Sequence, residues 1–212
     1  DSTHEAGWEI RDFKRHNLYY DQCYSIESIS GLTEQETAVK LVEPCEGECP
    51  SCRRQLVDFF QFDLTDLRFS FLPVPANSLH ILQCVDCASY MGDERQAKLD
   101  SQGHGHWPNP SEQTEPISYG EGETVEWRIP SFTLVPRHPR HGVLETSELS
   151  HSQIGGIPTW IQGPNYPTCN CCGKTMMFVA QLDSEEVTDF EGIYYAFLCP
   201  DCQITATTYQ CS

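Results

Sequence analysis

The sequence predicts an α+β protein that is mainly β, an antiparallel sheet domain built by internal duplication. Three observations carry that expectation. First, "CPSCRRQLVDFFQFD" (Cys49 to Asp63) and "CNCCGKTMMFVAQLD" (Cys169 to Asp183) share one layout: two cysteines three apart, a mostly apolar run, then Gln and Asp. Gln61 and Gln181 each lie nine residues after Cys52 and Cys172, and Asp63 and Asp183 follow two residues later. Second, the echo continues downstream in "LHILQCVDC" (Leu79 to Cys87) and "YYAFLCPDC" (Tyr194 to Cys202). Third, the runs between the cysteine pairs read as strands rich in aromatic and β-branched residues.

Each unit is therefore read as a cysteine knuckle, a strand, a variable connection, a second strand and a second knuckle. In "MMFVAQLD", strict alternation puts Met176, Phe178, Ala180 and Leu182 on one face and Met177, Val179, Gln181 and Asp183 on the other. In the first unit Leu56, Phe60 and Phe62 make the matching apolar face, with Asp58 an odd member. "SLHILQC" and "GIYYAFLC" lead directly into the second knuckles. Residues 1–92 form the N-terminal repeat, 93–123 a polar Gly/Pro-rich connection, and 124–212 the C-terminal repeat, together one pseudo-symmetric globular domain. "LTEQETAVKLVE" (Leu32 to Glu43) opens on a Thr-x-x-Glu capping box and reads as a short helix. "TVEWRIPSFTLVP" reads as one or two strands broken at Pro130.

Twelve cysteines in 212 residues need a chemical account. Eight fall into four Cys-x-x-Cys pairs: Cys49 with Cys52, Cys84 with Cys87, Cys169 with Cys172, and Cys199 with Cys202. Two such pairs complete a tetrahedral four-sulfur shell, which suits Zn(II) because that ion imposes no d-electron geometry. The expectation is two structural zinc ions in two zinc-ribbon-like units, each shell closed to water and substrate. Dithiol redox centres and disulfides of an exported protein are the competing readings. The His-x-Glu and Pro-Cys-x-x-Cys pair of a zinc deaminase is absent. Gly173 follows one first knuckle, where such turns require a positive φ, but Arg53 occupies that place in the other. Cys45, four residues before Cys49, is thus a candidate substitute ligand. Cys23, Cys171 and Cys211 read as buried free thiols.

Charge and composition narrow the function. Against 31 Asp and Glu stand 13 Lys and Arg, a net charge of −18. That field repels nucleic acid and anionic membranes and attracts a basic protein partner. No apolar run approaches the ~20 residues of a bilayer span. The N-terminal stretch has neither a basic nor an apolar segment of a signal peptide, so the expected compartment is the cytoplasm and the expected state a monomer. His104 and His106, and His138 with His141, are weaker metal candidates. Arg137 and Arg140 make a local basic patch. Fingerprints for phosphate loops, dinucleotides, nucleophile elbows and zincins are missing. An enzyme or small-ligand binder would have to use a groove between the repeats, with Gln61, Asp63, Gln181 and Asp183 as its polar groups.

The C-terminal third adds a resemblance. "HSQIGGIPTWIQGPNYPTCNCCGKTMMFVAQLDSEE", then "GIYYAFLCPDC" and "TTYQCS", resembles the bacterial YwqG-like family of uncharacterised proteins. More distantly, "GG-x-P-x-W" with "C-x-x-C-G-x-x-M" is similar to the programmed-cell-death-protein relatives that chaperone a ribosomal protein. The resemblance covers roughly residues 150–212 and implies a duplicated β-rich fold and, from the chaperones, a basic protein client. It implies no catalytic residue. On this reading Gly155, Gly156, Pro158 and Trp160 form a shelf for that partner, with the glycines permitting close backbone approach.

Overall fold

The computed structural model describes residues 7–29, 36–85, 87, 94–107, 126–139, 152–188 and 190–211. Alternating apolar residues with few helix formers dictate strands nearly throughout. A hairpin of β1 (Trp8–Arg11) and β2 (Lys14–Asn17) comes first. A three-stranded antiparallel sheet joins β4 (Val39–Glu48), β5 (Gln55–Asp63) and β6 (Ser78–Gln83). The remaining strands are β3 (Tyr20–Ser28), β7 (Arg95–Leu99), β8 (Gly105–His106), β9 (Phe132–Pro136), β10 (Gln153–Gly156), β11 (Met177–Asp183), β12 (Ile193–Cys199) and β13 (Ile204–Gln210). They make one antiparallel sheet in the order β8-β7-β13-β12-β11-β10-β3-β9. The two repeats are β4-β5-β6 and β10-β11-β12. The first repeat is a sheet by itself, whereas the second is built into the large sheet by strands from outside the repeats: β3 pairs with β10 and β9, and β7 extends the sheet beyond β13.

Both faces of the large sheet are covered at its central strand β12, which explains why "IYYAFLC" lacks the polar alternation of a half-exposed strand. One face of β12 sends Tyr194, Ala196 and Leu198 toward the three-stranded sheet, where the Phe59 ring lies 4.8 Å from that of Tyr194. The other sends Ile193, Tyr195, Phe197 and Cys199 into a second core. There Trp160 stacks on Tyr195 and Phe197, with ring centroids 4.7 and 6.2 Å away.

The duplication extends to defects in the strands. Pairing of β5 with β6 slips between Asp58 and Phe60, and pairing of β11 with β12 slips between Phe178 and Ala180. The extra residue, Phe59 or Val179, stands seven positions after Cys52 or Cys172. A bulge inverts the facing of everything beyond it. Strict alternation along "MMFVAQLD" is therefore corrected: Met176 and Phe178 belong to one core, Ala180 and Leu182 to the other. The same slip accounts for Asp58, which shares a face with Leu56 and not with Phe60 and Phe62.

The helix expected over Leu32 to Glu43 is not formed among its described residues. Val39 to Glu43 belong to β4, where Val39 and Leu41 are buried and Lys40 is exposed, a period of two that outweighs the capping box. Residues 30–35 lie outside the described residues. Among the described residues of "TVEWRIPSFTLVP" only β9 is a strand. Strands β7 and β8 lie inside the stretch read as a polar connection, whose residues 93 and 108–123 fall outside the described residues. Among the described residues no helix is long and apolar enough to cross a membrane.

Candidate metal centres

Each first knuckle is a tight turn closed by two backbone hydrogen bonds, and the two turns match bond for bond. Cys49 N–H donates to the Arg54 carbonyl (2.7 Å) and Arg53 N–H to the Cys49 carbonyl (2.8 Å). Cys169 N–H donates to the Lys174 carbonyl (2.8 Å) and Gly173 N–H to the Cys169 carbonyl (2.8 Å). Gly173 has φ +70° and Arg53 has φ +65°. Arg53 thus adopts the left-handed conformation itself, and no substitute ligand is required. Cys45 lies outside the cluster, its thiol pushed up to about 11 by burial and by the Asp58 carboxylate. An L-residue in this conformation costs about 1–2 kcal/mol. Arg53→Gly is accordingly expected to stabilise the protein by about 1 kcal/mol, read as a shift in the urea unfolding midpoint with an unchanged slope.

The knuckles converge on two groups, Cys49, Cys52, Cys84 and Cys87, and Cys169, Cys172, Cys199 and Cys202, with the sulfurs of each group within 4.8 Å of one another. Individual separations are 3.6 Å (Cys49 to Cys87), 3.4 Å (Cys52 to Cys84) and 3.7 Å (Cys172 to Cys199). A disulfide requires about 2.05 Å. Four sulfurs placed about 2.3 Å from a central ion stand about 3.8 Å apart, so the observed spacing is that of a tetrathiolate shell. Crowding alone cannot keep such thiols ionised together. Cys49 is pulled down to about 4 by its contact with the Cys84 thiol, while Cys84 is pushed up by that contact and by burial. A central dication removes the conflict. Both groups fit a metal ion.

The two centres differ in exposure. Cys49, Cys84 and Cys87 are buried under Leu56, Leu82, Ala97 and Trp107. In the second centre Cys172 is exposed, and the Lys174–Asp201 ion pair links the two knuckles at the surface. Strand β7 clasps that centre: Gln96 accepts from Asn170 N–H (2.9 Å) and donates to the Thr168 carbonyl (2.7 Å). Of the other thiols Cys23 is buried as expected. Cys171 is exposed and touches Cys202, contrary to the buried reading, and Cys211 is half-buried.

The remaining candidates are occupied by structure. Asp63 accepts from Thr65 N–H (2.9 Å) and Asp183 from Glu185 N–H (3.0 Å), each closing the turn after its strand. Buried Gln181 accepts from Thr159 N–H (2.8 Å). Gly155 and Gly156 lie in β10 pressed against β3, and together with Pro158 and Trp160 they are buried, placed in the core and not on an exposed shelf. The glycines do make the expected close backbone approach. His106 and His104 both face the Asp100 carboxylate (3.0 and 3.6 Å), and among the described residues only the two cysteine groups bring three or more potential ligands together. Arg137 donates to Gln153 and to the Cys23 sulfur. Among the described residues His138 joins no cluster of potential ligands, while Arg140 and His141 lie outside them.

Spacing gave no sign of one cluster. Asp58 on β5 takes Nδ1 of His80 on β6 (2.7 Å), whose Nε2 lies 3.2 Å from Ser78 Oγ. The order is that of a catalytic relay, but Ser78 Oγ donates to the Gln102 carbonyl (2.9 Å), which makes the chain a clamp between β6 and the β7–β8 hairpin.

The chain is similar to the uncharacterised protein YpfL of Salmonella typhimurium, 32% identical over 216 residues that take in 98% of this chain and 49% of that protein. It therefore spans about half the length of that relative. No protein-family model and no solved structure matches it, so neither the YwqG-like likeness nor the chaperone likeness has a family match behind it.

Proposed function

We propose that the protein is a non-enzymatic binding module stapled by two structural Zn(II) ions, with an acidic surface that receives a basic protein partner in the cytoplasm. The closed four-thiolate geometry is the observation that carries this reading. With four protein sulfurs around each ion, no coordination position is left for water or substrate, and the metal acts on folding alone. The −18 charge supports a basic partner and opposes nucleic acid and anionic membranes.

A pull-down from native extract at low salt tests the reading. A basic protein, released as ionic strength rises from about 50 to about 300 mM, is the expected result, because the Debye length contracts to well under 10 Å over that range. Capture that is insensitive to salt, or no capture at all, would contradict it.

A further inference from the structure

A cleft of about 720 Å³ opens beside the first metal centre. Glu46 and Glu48 of the β4–β5 hairpin form one wall, and His104 and Trp107 at β8 form the other. Asp58 lies on the floor, where the bulge at Phe59 has turned it away from the phenylalanine core. The lining thus carries three carboxylates against one arginine, Arg53, and the two imidazoles of His104 and His106. The Trp107 indole already holds the Arg95 guanidinium 5.4 Å from its centroid. The volume lies within the range of pockets that enclose a small ligand or a side chain with its flanking backbone.

The geometry points to this cleft as a receptor for an arginine side chain of the partner. This inference rests on the basic-partner reading above and gives that partner a point of attachment. A planar guanidinium engages carboxylates two bonds at a time and stacks on an indole, whereas a lysine ammonium is strongly hydrated and makes neither contact as well. Asp58 remains anchored through Oδ2 by His80 Nδ1, so its carboxylate is held in place before the guanidinium arrives.

Calorimetry at low salt with an acetylated, amidated Gly-Arg-Gly repeat peptide tests the assignment. The wild-type protein should bind it, bind the lysine version several-fold more weakly, and fail to bind the neutral citrulline version. Glu46→Gln with Glu48→Gln removes two rim charges and should weaken binding about two- to thirtyfold. Asp21→Asn with Glu27→Gln removes two exposed charges elsewhere and should leave affinity within about twofold. Glu46 and Glu48 are themselves exposed, so that variant retains the fold, with matching thermal melts as the check. Equal weakening by the two double variants, or none by the cleft variant, would overturn the assignment and leave the basic-partner reading standing. Failure of the wild-type protein to bind the arginine peptide would overturn the assignment, while the salt-dependent pull-down decides the basic-partner reading.

Discussion

Cys199→Ser is expected to abolish the cooperative unfolding transition of the protein, and Cys84→Ser to do the same from the other centre. A structural zinc contributes on the order of 10 kcal/mol of folding free energy, while a whole domain is stable by about 5–15 kcal/mol. Each centre also closes a large part of the structure. Cys199 ends β12, which is buried on both faces, and Cys84 follows β6, which pairs with the bulged β5. Losing one thiolate leaves three for an ion that requires four ligands, with a weakly coordinating hydroxyl in place of the fourth. Circular dichroism melts check the result, with Cys171→Ser as the control. That thiol is exposed and stands outside the cluster of four, so its loss is expected to change stability by less than about 0.5 kcal/mol. A Cys199→Ser protein that melts like the wild type would show that the second centre is dispensable.

Gly155→Ala should cost about 3 kcal/mol or more. Gly155 has φ +65°, and a Cβ built on it lies 2.0 Å from the Gln22 carbonyl oxygen, a backbone atom of the paired strand β3 that cannot swing aside. The left-handed conformation contributes about 1–2 kcal/mol of that and the forced separation of β10 from β3 the rest. Gly173→Ala isolates the conformational part. Its φ is +70°, but nothing lies within 4 Å of its Cβ position, so about 1 kcal/mol is expected. Urea denaturation of both variants measures the difference, and equal losses would contradict the close strand approach. The first repeat shows what this geometry demands. By register Val42 stands where Gly155 does, since Leu41 faces Phe60 as Ile154 faces Ala180, and Val42 too has a positive φ, +53°. It carries there a β-branched side chain that the second repeat avoids.

Much of this was legible in the cysteine spacing. Ligand pairs are local, and their partners lie at the far ends of strands whose composition is plain, so the two clusters follow once the repeat is seen. Facing was less legible. A bulge adds one residue without leaving a mark in hydrophobicity, and only Asp58, polar where its neighbours were apolar, hinted at it. The strand Val39–Glu48 was obscured because "LTEQET" carries local helix signals while its fate is decided by pairing with Phe60 and Phe62 far along the chain. Non-local pairing also explains why β3 and β7, from outside the repeated motifs, could not be placed in the large sheet from sequence. The cleft and the Ser78–His80–Asp58 clamp were hidden for the same reason: their residues meet only after β5, β6 and the β7–β8 hairpin come together.

Native mass spectrometry of the purified protein, with the bound metal identified by elemental analysis, tests the central claim most directly. Two zinc ions per chain, lost together with the folded state on treatment with a strong chelator, is the result the tetrathiolate geometry predicts. A folded protein free of metal, or one whose eight knuckle cysteines are joined in disulfides, would contradict it.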